Sequence, residues 1–225
     1  MQDSFRGAFA RWGMPNTLRL DNGYPWGHAN DLPTPLALWL AGLGIKIHFN
    51  NPRSPRENGG VERSHGVTKG WAEPQTCADA GELQRRVDET DRIQREQYPA
   101  DGKRSRLSLY PELAKANRPY DREWEQSGWD EGKARQYLSL HVARRRVDGN
   151  GKAWVYGKAY YIGAMHKGKE AVVQYDPEAG EWMFGGRDGS AWCRHRAGQI
   201  NRAAICSLTV SAKPSRNHGK TSCPE

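Results

Sequence analysis

The first seventy residues alternate between two hydrophobic periods, and that alternation constrains the fold most. Phe5, Ala8, Phe9 and Trp12 recur at helical spacing, and Gly13 stops the run. Asp3 or Ser4 is placed to cap its start. Thr17-Leu18-Arg19-Leu20 then reads as a short strand that ends in Asp21-Asn22-Gly23. A helix follows over about 33–43, with proline in its first turn and Gly44 just past its end. Ile45 to Phe49 alternates as a strand, and a helix opens near Val61. Between them "NNPRSPRENGG", residues 50–60, has the proline and glycine content of a loop.

Asp21 has two readings. Asn-Gly after a strand favours a tight turn, because both residues accept positive φ cheaply. A carboxylate at a strand's C-terminal tip is also where ligands gather in open α/β sheets. Forty residues on, Glu62 falls in the first turn of the next helix. An acid there favours the helix dipole by about 0.3–1 kcal/mol with no other role. If that helix packs beside the strand, the two carboxylates converge. Mg²⁺ takes such oxygens while keeping several waters.

The chain of 225 residues carries 34 Lys plus Arg against 26 acids, a net charge of +8. A balance this basic suits nucleic acid first and an anionic membrane surface second. No run of eighteen apolar residues occurs, and no basic, apolar leader follows Met1, so a membrane span and secretion are not expected. Cys77, Cys193, Cys206 and Cys223 are scattered and match no zinc module, as expected of reduced thiols in a cytoplasmic protein.

Residues 79–98 read as a charged amphipathic helix through Leu83 and Val87, and a polar, partly helical stretch runs on to about 136. Past residue 140 the texture changes. Five or six short β-type runs, broken by Asp-Gly, Asn-Gly and Pro-Glu-Ala-Gly turns, predict a small β-barrel or sandwich. Trp154, Tyr156, Tyr160 and Tyr161 read as its core, with base stacking as the alternative. Residues from about 201 onward lack a core pattern and are expected to form a disordered tail.

"FARWGMPNTLRLDNGYPWG", "LALWLAGLGIKIHF" and "NNPRSPRENGGVERSHGVTKGW" together resemble the core of DDE transposases and retroviral-type integrases, in particular bacterial insertion-sequence transposases with an integrase core domain. The resemblance covers roughly residues 1–75, and residues about 140–197 resemble the small barrel that follows such cores. It implies a partial α/β ribonuclease-H-like integrase core over 1–75, a helical region and linker over 76–137, a small all-β barrel over 138–200 and the tail over 201–225.

By the same resemblance Asp21 and Glu62 match the second and third acidic residues of a catalytic triad that binds Mg²⁺ or Mn²⁺. Glu57 lies in the loop before the glycine pair and does not match. The family's first aspartate sits on an earlier strand, and only Asp3 is acidic among the twenty residues before Asp21. The resemblance therefore implies a chain that begins inside the fold, with an open sheet edge and an incomplete, inactive centre. The implied activity is DNA transposition by Mg²⁺-dependent phosphoryl transfer. The alternative is a non-catalytic DNA-binding or partner-binding remnant. The partners implied are DNA, as element ends and target, and further copies of the full-length chain.

Glu62, His65 and Lys69 share one helix face. Lys69 and His65, with Arg53 and Arg56 on the preceding loop, are candidates for phosphate contact; simple solvation explains them equally well. His48 and His65 lack the partners of a metal site, and Cys193-Arg-His195 carries no weight. Arg144-Arg145-Arg146 is a candidate phosphate-binding stripe. Alternate residues of a strand point to opposite faces, so at most two of these arginines serve one surface.

Overall fold

A computed structural model describes residues 1–23, 26–27, 31–51, 59–114 and 118–207. Helix α1 (Gln2–Trp12) leads through Met14 to strand β1 (Thr17–Leu20). Its N-cap is Met1, without a side-chain bond, so neither Asp3 nor Ser4 caps it. Asp3 instead lies inside the first turn and pairs with Arg6 at 3.0 Å, the i,i+3 spacing that brings two side chains together.

Helix α2 (Pro35–Gly42) starts as its sequence dictates. Thr34 Oγ1 accepts from the Ala37 N–H, and Pro35 occupies the first turn. Leu36 through Ala41 are buried on every side, so this helix is the centre of the molecule rather than a surface helix. Gly44, at φ +70°, turns the chain into β2 (Lys46–Phe49). β2 pairs in parallel with β1, Thr17 opposite Lys46 and Leu20 opposite Phe49. Among the described residues these two strands form a sheet of their own.

α3 (Gly59–Ala72) and α4 (Ala80–Glu96) form a helical hairpin. Asp79 caps α4 by accepting from Glu82 N at 2.7 Å, and the Glu82 carboxylate accepts from Ala78 N at 2.8 Å. Three short helices follow: α5 (Arg106–Leu109), α6 (Arg122–Gly128) and α7 (Glu131–Ser139). α7 packs on α2. Trp129, at its entry, is fully buried and donates its indole N–H to Trp39 O at 3.0 Å.

Strands β3 (Ala143–Arg146), β6 (Glu170–Asp176), β7 (Glu181–Gly185) and β8 (Ala191–Arg196) make an antiparallel sheet in the order β3-β6-β7-β8. β4 (Lys152–Val155) and β5 (Lys158–Tyr161) form a separate hairpin. Among the described residues no main-chain ladder joins hairpin to sheet. A side chain bridges the gap: the His195 imidazole Nε2 meets Tyr161 O at 2.7 Å.

The sheet's inner face, with Ala143, Ala171, Val173, Tyr175, Trp182 and Phe184, is buried. It belongs to one apolar core that runs from Phe9 through α2 and α7 to Ile205. The segments expected as partial core, linker and barrel are thus packed together.

Residues 201–207 are ordered, which corrects the expected start of the tail. Asn201 caps helix α8 (Arg202–Cys206) by accepting from Ala204 N at 2.9 Å. Ile205 is buried, and its carbonyl accepts from the buried Gln2 side chain at 2.9 Å. A five-residue helix with one large apolar side chain shows no periodicity, which is why its sequence carries no core pattern. The remainder of the expected tail, 208–225, lies outside the described residues.

Candidate nucleic-acid and metal site

Asp21 follows the last residue of β1 directly, at the C-terminal end of a parallel pair. The neighbouring chain ends are tied together there. Asn50 N donates to Leu20 O at 2.9 Å, Arg19 Nε donates to Asn50 Oδ1 at 2.7 Å, and the Asn22 amide donates to Asn50 O. Asp21 Oδ1 accepts from its neighbour's N–H, Asn22, at 2.8 Å. Gly23, at φ +133°, and Gly27, at φ +116°, exchange two main-chain bonds of 2.8 Å. Asp21 therefore stands at the start of a glycine-closed turn and presents an exposed side chain at a strand tip. That placement is compatible with either reading of Asp21.

Glu62 occupies the first turn of α3 and is exposed, as are His65 and Lys69, one and two turns further along. An adjacent face of α3 packs on α4: Ala72 is buried and Thr68 Oγ1 meets Gln94 Nε2 at 3.4 Å. Glu62, His65 and Lys69 thus form a solvent-facing row. Much of the connection from β2 to α3 lies outside the described residues, and Arg53 and Arg56 lie in it. Among the described residues no three His, Cys, Asp or Glu side chains converge on one point.

The three arginines of β3 divide as strand geometry requires. Arg145 is half-buried on the inner side, where its guanidinium pairs with Asp31 at 2.8 Å. Arg144 and Arg146 are exposed on the outer face, opposite Val172 and Glu170 of β6.

The far edge of the same face carries a second pair that sequence reading misses. Arg194 and Arg196 of β8 stand opposite Met183 and Glu181 and are exposed. The two pairs lie diagonally across the sheet: Arg144 is level with Val172, Gly185 and Ala191, and Arg194 and Arg196 stand further along β8.

Acids temper this surface unevenly. Glu170 lies 2.7 Å from Arg187 and 3.8 Å from Arg144. Arg194 reaches Asp176 at 2.9 Å and Glu181 at 3.6 Å. The Ala179 N–H, and next the Arg194 guanidinium, hold the Asp176 carboxyl below its usual range. Arg146 and Arg196 form no ion pair among the described residues and are the pair most available to phosphate. The signal that could have found Arg196 is the alternation Trp192, Arg194, Arg196 along one strand.

The four aromatic residues assigned to the barrel core divide evenly. Tyr160 is buried, and its hydroxyl donates to Gln199 Oε1 at 2.7 Å. Tyr156 is half-buried; its hydroxyl donates to Pro33 O, and burial raises its pKa well above the usual phenol value. Trp154 and Tyr161, by contrast, are 54% and 55% exposed. They lie on the outward face of a two-stranded hairpin, and among the described residues no element covers that side.

Among the described residues no helix is long and apolar enough to cross a membrane. No protein-family model matches the chain.

Proposed function

We propose that this protein acts on DNA as a member of the transposase and integrase class. Asp21 and Glu62 hold Mg²⁺ or Mn²⁺ for phosphoryl transfer, and Arg144, Arg146, Arg194 and Arg196 grip backbone phosphates. The observation that carries the reading is Asp21 at the C-terminal tip of a parallel β-pair, with Glu62 in the first turn of α3 after the second strand of that pair. Carboxylates at that end of an α/β sheet are suited to a hard divalent cation. Such an ion activates an attacking oxygen and stabilises a leaving one at phosphorus. Lys69 and His65, on the same row of α3 as Glu62, would neutralise phosphate beside that ion.

A second reading, DNA binding without strand chemistry, has one observation in its favour: no third donor joins the two carboxylates among the described residues. Incubation of the protein with labelled duplex and Mg²⁺ separates the two. Strand cleavage or joining that disappears in Glu62→Ala supports the first. Binding without cleavage supports the second. A chain that neither binds nor cuts DNA refutes both.

A further inference from the structure

The outer side of the β4–β5 hairpin presents an exposed aromatic pair that the phosphate-gripping face does not use. Its ladder sets Lys152 opposite Tyr161 and Trp154 opposite Ala159. Ala153 and Tyr160 point inward and are buried, so Lys152, Trp154, Ala159 and Tyr161 share the outer side. Trp154 and Tyr161 are then diagonal neighbours, about 7–8 Å apart. Side chains stand roughly perpendicular to a sheet. Two rings at that separation leave room for one flat plate, since stacked bases repeat at about 3.4 Å. Ala159, small and directly opposite Trp154, leaves the floor of the slot open.

Lys152 stands directly opposite Tyr161 and supplies the cation of the slot. The nearby Asp148 carboxylate already accepts from Lys152 N at 2.9 Å and Asn150 N at 2.8 Å. The His195 side chain reaches the Tyr161 carbonyl, so Arg194 and Arg196, on the other side of β8, point away from the hairpin.

We infer that this slot takes an unpaired nucleobase, with Trp154 and Tyr161 as the stacking plates and Lys152 on a flanking phosphate of a single strand. Aromatic plates with a cation beside them are what sequence-tolerant single-strand binding requires, because every base has a stacking face. A duplex, whose bases are already stacked, cannot enter. The inference rests on the nucleic-acid reading for its ligand class but not on the metal site or on duplex binding.

Fluorescence anisotropy with a labelled fifteen-nucleotide thymidine oligomer and a labelled duplex of equal length tests it on the full chain. Both rings are exposed, and unchanged thermal unfolding of Trp154→Ala and Tyr161→Ala verifies that the variants fold. Each variant is expected to weaken single-strand binding about ten-fold and duplex binding less than two-fold. Trp154→Phe is expected to recover most of the loss, which a purely electrostatic surface would not show. Single-strand binding by the unaltered chain, weakened in this way by the variants, supports the slot whatever the duplex does. No binding of the oligomer, equal losses on both ligands, or oligomer binding unaltered by both variants overturns it. So does capture of a proline-rich peptide in place of the oligomer.

Discussion

The Arg6 guanidinium clasps the Glu125 carboxylate through two parallel hydrogen bonds, Nε to Oε2 at 2.9 Å and Nη2 to Oε1 at 2.7 Å. Both side chains are almost fully buried, at 13% and 4% exposure. The same carboxylate accepts from Trp39 Nε1 at 2.8 Å and from the Tyr120 hydroxyl, while Arg6 also donates to Cys206 O at 2.7 Å. One ion pair thereby ties α1, α2, α6 and α8. Its donors and acceptors satisfy one another, which a buried pair needs to offset its desolvation.

Glu125→Ala leaves a buried guanidinium, an indole N–H and a phenol without their shared acceptor. The expected loss is about 3–5 kcal/mol of folding stability, read as a lower midpoint in urea denaturation. An unchanged midpoint would show that water replaces the carboxylate without cost.

Acid should act on the same pair. Burial by itself raises the Glu125 pKa, but hydrogen bonds from Arg6, Tyr120 and Trp39 outweigh it, and the carboxyl ends below its ordinary value of 4.5. A depressed native pKa contributes stability that is fully present above the unfolded value and lost as pH falls through the native one. Unfolding between pH 6 and pH 3 should therefore show a steeper acid limb in the unaltered chain than in Glu125→Gln. Parallel limbs would remove Glu125 from the explanation.

Gly42 admits no side chain. A Cβ built there would stand 2.1 Å from Trp129 Nε1, and that indole is pinned between α2 and α7. Gly42→Ala is expected to cost about 1–3 kcal/mol, or more, through overpacking. For a chain of this size that is roughly 2–4 °C per kcal/mol in thermal midpoint. A variant as stable as the parent would mean that Trp129 has another rotamer available.

The division of the β3 arginines gives a test with an internal control. Arg144→Ala and Arg146→Ala should weaken duplex binding across sequences, and each should lower the salt slope by about 0.9 because one phosphate fewer is neutralised. Arg196→Ala should behave as Arg146→Ala does. Arg145→Ala removes the 2.8 Å bond to Asp31 and should leave the salt slope unchanged. Equal slopes for all four variants would mean that the outer face of the sheet does not touch DNA.

Local elements were legible wherever a short pattern decides them. The strand 17–20, the helix with proline in its first turn and Gly44 past its end, and the alternation of the β3 arginines follow from spacing and turn chemistry alone. What spacing cannot report is which faces another element covers. Trp154 and Tyr161 carry the composition of core residues, yet among the described residues no element lies over that side of the hairpin. The short helix around Ile205 was missed because its stability comes from Gln2 and the core, about two hundred residues away in sequence. Asp21 was legible as the residue that ends β1 and opens the turn, and it stands there.

The most direct test of the central claim is calorimetric titration of Mn²⁺ into the protein, Asp21→Ala and Glu62→Ala. Measurable binding by the unaltered chain and loss of most of it in either variant are the predicted results, because one carboxylate competes poorly with water for a hard divalent cation. Equal binding by all three proteins, or none by the unaltered chain, would contradict a shared metal site at Asp21 and Glu62.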